Sequence, residues 1–194
     1  QKKFMKNLMS KNLLSNLPNY LTIFRVISIP VIILCILPQS FFYNWVAVTI
    51  YALACLSDFF DGYIARKLSI ESKFGKFFDP IADKILIISV IFILVAIDRI
   101  EGLFIYPALI IIIREVLVSG LREFFSSEKY SLNVTILSKW KTLLQMISLG
   151  FIIIGDDFSY LSNTLLIGEI GLTLASIITI YTGYKYFEKN FKSL

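Results

Sequence analysis

Six apolar runs, at about residues 19–37, 42–62, 80–97, 103–121, 137–154 and 160–183, constrain this chain more than any other feature. Each approaches the roughly 20 residues that a helix needs to cross the hydrocarbon core of a bilayer. In lipid a segment must pair its own backbone groups, and a helix does so. The expected fold is an all-α integral membrane protein with six transmembrane helices. Composition points the same way: charged residues make up 17% of the 194-residue chain and hydrophobic residues 57%, against about 25% charged in an ordinary soluble domain. The connections are short, and the chain shows no linker, internal repeat or low-complexity tract, so residues 1–194 read as a single transmembrane domain.

The distribution of charge sets an orientation. Lys2, Lys3, Lys6 and Lys11 precede the first run; Arg66, Lys67, Lys73, Lys76 and Lys84 follow the second; Arg122, Lys129, Lys139 and Lys141 follow the fourth; Lys185, Lys189 and Lys192 follow the sixth. The connections on the other side hold only Arg99, and Arg25 and Arg114 lie within spans. The excess of Lys and Arg marks the cytoplasmic side and puts both termini there, as an even number of spans requires. Phe4, Met5, Leu8, Met9 and Leu13 recur at near-helical spacing among lysines, so residues 1–16 read as an amphipathic helix lying on the inner leaflet. The net charge of +5 is spread through these membrane-flanking segments and is not a nucleic-acid footprint. Cys35 and Cys55 both sit in apolar runs and form no metal or disulfide pattern. The chain has no histidine, so a general base has to come chiefly from its carboxylates.

Against this apolar background, residues 57–84 read SDFFDGYIARKLSIESKFGKFFDPIADK and hold four aspartates, Asp58, Asp61, Asp79 and Asp83. Asp58 and Asp61 are three residues apart and Asp79 and Asp83 four apart, so on helices each pair shares a face. Pro80 allows two local readings: Asp79 caps a helix that starts at Pro80, or Pro80 interrupts a helix that starts earlier. Four close carboxylates repel one another and are costly to bury unpaired. One or two divalent cations relieve both problems, and an all-oxygen donor set favours Mg²⁺ or Mn²⁺ over zinc. Gly62 and Ala65 are small, and Arg66 supplies a cation for phosphate oxygens. Together these residue types suit metal-assisted phosphoryl transfer.

The pattern Asp58-x2-Asp61-Gly62-x2-Ala65-Arg66-x8-Gly75-x3-Asp79-x3-Asp83 resembles the signature of the CDP-alcohol phosphatidyltransferase family at every fixed position. The resemblance implies that Asp58, Asp61 and Asp79 bind the metals. It implies that Asp83 joins the metal site and takes the proton of the acceptor hydroxyl. By the same resemblance Gly62, Ala65 and Arg66 line the CDP site, with Arg66 on the pyrophosphate, and Gly75 leaves space for the nucleotide. The expected activity is transfer of a phosphatidyl or related group from a CDP-linked donor to an alcohol with release of CMP. A homodimer is also implied.

Three further stretches bear on the acceptor. Residues 17–25, Leu-Pro-Asn-Tyr-Leu-Thr-Ile-Phe-Arg, resemble the PNxLTxxR opening of the members that use glycerol 3-phosphate, and put Thr22 and Arg25 on one helix face. Residues 114–123 resemble their REhhVSGLRE segment; Arg114 lies roughly 16 Å into the fourth run at 1.5 Å per residue. An ionisable group at that depth is a functional candidate, either facing an anionic substrate or paired with Glu115 or Glu123. Residues 138–145 resemble their GKxKTxxQ stretch, with Ser138 in place of the first Gly and with Lys139, Lys141 and Gln145 retained. Thr22 is assigned to the donor site. Arg25, Arg114, Arg122, Lys139 and Lys141 are assigned to a cationic pocket for the acceptor's phosphate. Expected partners are therefore CDP-diacylglycerol, glycerol 3-phosphate and membrane lipid. The alternatives are the same chemistry on phosphatidylglycerol, inositol phosphate or serine, a small membrane carrier, and a silent subunit.

Overall fold

The computed structural model describes residues 20–68, 73–127, 136–156 and 163–191. Among them there are six helices and no strand: α1 (Tyr20–Ile36), α2 (Phe41–Leu68), α3 (Lys73–Ala96), α4 (Ile105–Ser127), α5 (Ile136–Ile154) and α6 (Thr164–Phe191). A 3-10 turn, Gly102–Phe104, leads into α4. The amphipathic segment expected at 1–16 lies outside the described residues. Among the described residues, three stretches, Gly102–Leu121, Leu137–Ile154 and Thr164–Glu188, are long and apolar enough to cross a membrane.

Helix α1 shows how the spans are built. Thr22, Arg25, Ile29, Ile32 and Ile36 recur every three or four residues and are buried, while Ile23, Ile27 and Leu34 on the other face are exposed. The exposed face is as apolar as the buried one, and the same holds on α4 (Leu109, Ile113, Val116) and α6 (Ile170, Leu174, Ile177). Water-soluble proteins rarely expose apolar surface on this scale, and such a surface suits lipid. Inside, one core cluster draws on all six helices, from Ile32 and Ala54 to Val90, Ile111, Ile152 and Leu172.

Two helices run further than hydropathy alone indicates. Helix α2 continues to Leu68, past the apolar run that fades near residue 62, and α3 already runs at Lys73. Pro80 therefore lies inside α3 and Asp79 is not its N-cap. Helical hydrogen bonding is satisfied within the backbone, so a helix does not have to stop where its side chains turn polar.

Helices α5 and α6 make the most intimate contact, and small residues allow it. A methyl group on Gly168 would come within 2.8 Å of the Ser148 carbonyl oxygen, and one on Gly171 would strike the Ser148 hydroxyl. Such close approach of backbones is the usual means of joining helices where lipid removes the hydrophobic driving force. The end of α5 is closed by side chains from elsewhere. Arg99 donates through Nη1 to the carbonyls of Ile153 and, at 3.4 Å, Ile152. Asn44 donates to the carbonyl of Ile154 at 3.3 Å, and Thr164 donates to that of Gly155. The carbonyls that a helix normally leaves unpaired at its C-terminus are thus taken up, by a cation among others, which also suits the helix dipole. Gly155 ends the helix with φ +74°, and a Cβ there would sit 3.3 Å from the Arg99 guanidinium carbon.

Candidate active site

The up-and-down order of the first three helices gathers the predicted residues at one end of the bundle. Helix α1 begins there, α2 ends there and α3 begins there; at the opposite end Gln39 donates to the carbonyl of Ile97 at 3.4 Å. Asp58, Asp61, Gly62, Ala65 and Arg66 lie in the final turns of α2, and Gly75, Asp79 and Asp83 in the first turns of α3. Of these eight, the described side chains are those of Asp79 and Asp83, both half-buried; the other six side chains, and that of Arg122 in α4, lie outside the described residues. Among the described side chains no group of three or more potential ligands gathers around a metal position.

The Thr22 hydroxyl donates to the Asp79 carboxylate. This bond ties α1 to α3 and holds one oxygen of Asp79. Arg25, one turn further along α1, is completely buried. Asp83, one turn beyond Asp79, lies within electrostatic reach of the Tyr51 hydroxyl on α2 and the Lys141 ammonium on α5. The aspartate motif and the basic stretch of α5 are therefore neighbours in space, although 58 positions separate Asp83 from Lys141.

The second part of the site lies where α4, α5 and α6 meet. Lys141 is 1% exposed and donates to Glu115. Arg114 Nη1 lies 3.5 Å from the same carboxylate oxygen, and Arg114 Nη2 donates to the Thr182 hydroxyl at 3.3 Å. The Arg114 stem packs across α6 beside Gly183, with Arg114 Cγ 3.6 Å from where a Cβ would be, an ordinary contact distance. Lys84 on α3 is close enough for its charge to act on Glu115. Two cations and one carboxylate leave this group with a net charge of about +1. It is largely withdrawn from water, and in such low-dielectric surroundings charge acts at longer range.

The structure thus unites Thr22 with Asp79, and Arg114 with Lys141 through Glu115, and brings Asp83 near them. Lys139 does not join them: its side chain is exposed on α5. Thr182 is a member that sequence reasoning missed. A threonine in an apolar span carries no mark of function, and its bond to Arg114 joins positions 68 residues apart. A shallow groove lined by Phe42, Trp45, Val46, Thr49 and Ile50 sits at the start of α2, away from the aspartates, and belongs to the apolar outer surface.

Comparison with known proteins adds a family likeness. The model of the CDP-alcohol phosphatidyltransferase family matches residues 15–181. A protein of Rickettsia felis named CDP-diacylglycerol–glycerol-3-phosphate 3-phosphatidyltransferase is 47% identical over 173 residues, covering 89% of this chain and 94% of that protein. One of the same name from Haemophilus influenzae is 34% identical over 175 residues, 89% and 92% of the two chains. An Arabidopsis thaliana protein of that name, numbered 2, is 32% identical over 190 residues, 92% and 81% of the two chains.

Proposed function

This chain belongs to the CDP-alcohol phosphatidyltransferase family, and from that premise we infer that it transfers the phosphatidyl group of CDP-diacylglycerol to glycerol 3-phosphate. CMP is released and phosphatidylglycerophosphate is formed. The observation that carries the choice of acceptor is the buried Arg114–Glu115–Lys141 group beside Asp83. A carboxylate able to take a hydroxyl proton stands next to a site with net positive charge. Glycerol 3-phosphate brings a hydroxyl and a phosphate on one short molecule. Inositol and ethanolamine bring no anion to such a site.

In this reading Asp58, Asp61, Asp79 and Asp83 hold one or two Mg²⁺ or Mn²⁺ ions. The donor set fits: it is all oxygen, anionic, and carried by the adjoining ends of two helices. A divalent cation bound there supplies Lewis-acid neutralisation of the pyrophosphate charge. Thr22, by donating to Asp79, fixes the rotamer of that carboxylate. Arg66 pairs with the pyrophosphate, and Gly62, Ala65 and Gly75 leave room for the nucleotide. Asp83 takes the proton of the 1-hydroxyl as its oxygen bonds to the phosphatidyl phosphorus. The bond from that phosphorus to the CMP oxygen breaks, and CMP departs with the bonding pair. Arg25, Arg114, Arg122, Lys139 and Lys141 attract and hold the acceptor's phosphate, the exposed Lys139 at its entrance.

The six helices make one transmembrane domain with both termini and the active site on the cytoplasmic side; a homodimer rests on the family resemblance alone. The supports are the one-sided distribution of Lys and Arg, the three long apolar helices and the apolar outer surface. The donor, half lipid and half nucleotide, then meets the aspartates with its acyl chains still in the membrane.

The test is CMP release by detergent-purified protein supplied with CDP-diacylglycerol and Mg²⁺ or Mn²⁺, with and without glycerol 3-phosphate. Release is expected to need both metal and acceptor and to vanish in Asp83→Asn. Turnover with phosphatidylglycerol, inositol phosphate or serine and none with glycerol 3-phosphate would falsify the choice of acceptor. Metal-dependent uptake into liposomes without CMP release would indicate a carrier.

A further inference from the structure

The seam between α5 and α6 contains two polar atoms that the group around Glu115 does not use. The side-chain oxygen of Gln145 and the hydroxyl of Thr179 are enclosed, and neither has a hydrogen-bond partner among the described residues. The residues are 1% and 0% exposed. Buried polar groups are almost always paired, so two orphans on one seam need an explanation.

Their position supplies one. Gln145 follows Lys141 by one turn on the same face of α5, and both are buried. Side chains on a helix lean toward its N-terminus, so Gln145 leans back toward Lys141 and the candidate active site. Helix α6 runs antiparallel, with Ile152 against Gly168 and Ser148 against Gly171. Continuing that register sets Lys141 level with Thr179 and Gln145 level with Ala175. Thr179 therefore lies level with Lys141, and Gln145 one turn beneath it, on the side away from the helix ends that carry the aspartates.

We propose that Gln145, with Thr179 beside it, recognises the non-reacting secondary hydroxyl of the acceptor. The proposal rests on the glycerol 3-phosphate reading above. That acceptor has two hydroxyls. One is deprotonated and attacks; the other is taken out of water with no chemical task and needs a partner. The Gln145 amide oxygen accepts its proton without adding charge beside Lys141, and the Thr179 hydroxyl serves its lone pairs. A site built to bond a hydroxyl rejects an analogue that lacks it, because the protein's own polar atom is then left unpaired. Gln145 is thus a specificity-determining residue.

The experiment compares glycerol 3-phosphate with 3-hydroxypropyl phosphate, which keeps the phosphate and the primary hydroxyl and lacks the secondary one. kcat/KM for each is measured by CMP release with the full chain in detergent, for wild type, Gln145→Met and Thr179→Val. Wild type is expected to prefer glycerol 3-phosphate about ten-fold or more, the effect of one hydrogen bond made or left unmade. Gln145→Met is expected to lower kcat/KM for glycerol 3-phosphate about ten-fold and to leave the analogue within about two-fold, so that the preference collapses. KM for CDP-diacylglycerol should not move. Equal losses with both acceptors would mean that Gln145 supports the fold or a bound water, and would overturn the inference alone. If Gln145→Met does not fold, Gln145→Asn withdraws the amide by one methylene and is judged by the same ratio. Wild-type protein that uses neither acceptor but releases CMP with another alcohol would overturn the acceptor reading and this inference with it.

Discussion

The Thr22 hydroxyl donates to the Asp79 carboxylate and so joins the first helix to the third at the end of the bundle where the aspartates lie. Groups that orient a ligand are typically worth 10- to 100-fold in metal affinity. Thr22→Val keeps the shape of the side chain and removes the donor. It is expected to raise the Mg²⁺ or Mn²⁺ concentration needed for half-maximal CMP release by about that factor, with much of the rate recovered at saturating metal. Thr22→Ser should stay near wild type. A loss of rate in Thr22→Val that no metal concentration recovers would mean that Thr22 acts on the donor and not through Asp79.

Glu115 holds two cations, Lys141 directly and Arg114 at 3.5 Å, so its removal and theirs should differ in kind. Glu115→Gln leaves two buried cations facing each other. Breaking a buried pair on one side costs about 3–5 kcal/mol, and this variant is expected to lose most in thermal unfolding of the detergent-solubilised protein. Lys141→Met leaves Glu115 still beside Arg114 and should destabilise less. Activity should rank the other way. Lys141→Met is expected to raise KM for glycerol 3-phosphate by more than ten-fold, as loss of a charge-assisted contact implies, with KM for CDP-diacylglycerol unchanged. If folded Lys141→Met protein keeps its KM for glycerol 3-phosphate, the pair is an intramembrane strut and not part of an acceptor site.

The contrast between these residues shows what the sequence discloses. Apolar runs announce the spans because lipid selects for them along the chain, and the eight-position aspartate pattern announces its chemistry because acids, small residues and an arginine stand at fixed spacing. Arg114 stood out because an ionisable group deep in an apolar run is rare. The ends of α2 and α3 were not legible: the hydropathy that marks a span fades where a helix leaves the bilayer, while helical hydrogen bonding does not. Thr182, Asn44 and Arg99 were hidden for another reason. Their roles lie in bonds across 53 to 110 positions, such as Asn44 to Ile154 and Arg99 to Ile152, and no local pattern records a partner so distant.

The α5–α6 contact predicts unequal effects of two similar changes. In Gly168→Ala the new methyl meets the Ser148 carbonyl oxygen at 2.8 Å, a backbone atom that cannot turn aside. Overpacking of this kind costs about 1–3 kcal/mol. In Gly171→Ala the obstacle is the Ser148 hydroxyl, a side-chain atom that can rotate or be deleted. Gly168→Ala should therefore lower the unfolding temperature clearly. Gly171→Ala should lower it less, and Ser148→Ala should restore it in the double variant. Failure of that rescue, measured by thermal unfolding in detergent, would show that the helices do not pack in this register.

Arg99 supplies the strongest test of the end opposite the aspartates. Its guanidinium donates to Ile152 and Ile153 at the C-terminus of α5 and covers Gly155. It is 8% exposed. Arg99→Met keeps much of the side chain's bulk and removes every donor. Two backbone carbonyls then lose their partner and the favourable charge at the helix end disappears, together about 2–3 kcal/mol. Arg99→Lys keeps the charge and loses the fork that reaches two carbonyls at once, so it should fall between. Because α5 also carries Lys141 near its other end and Gln145 at its middle, the question is whether damage at one end reaches them. The helix is held along its length by α6 through Ser148 and Ile152, so it should not. Both variants are expected to unfold at lower temperature and yet to keep wild-type KM for glycerol 3-phosphate and wild-type kcat per folded molecule at 25 °C. A raised KM in Arg99→Met with unfolding unchanged would contradict this assignment and make Arg99 part of a path between the two ends of α5.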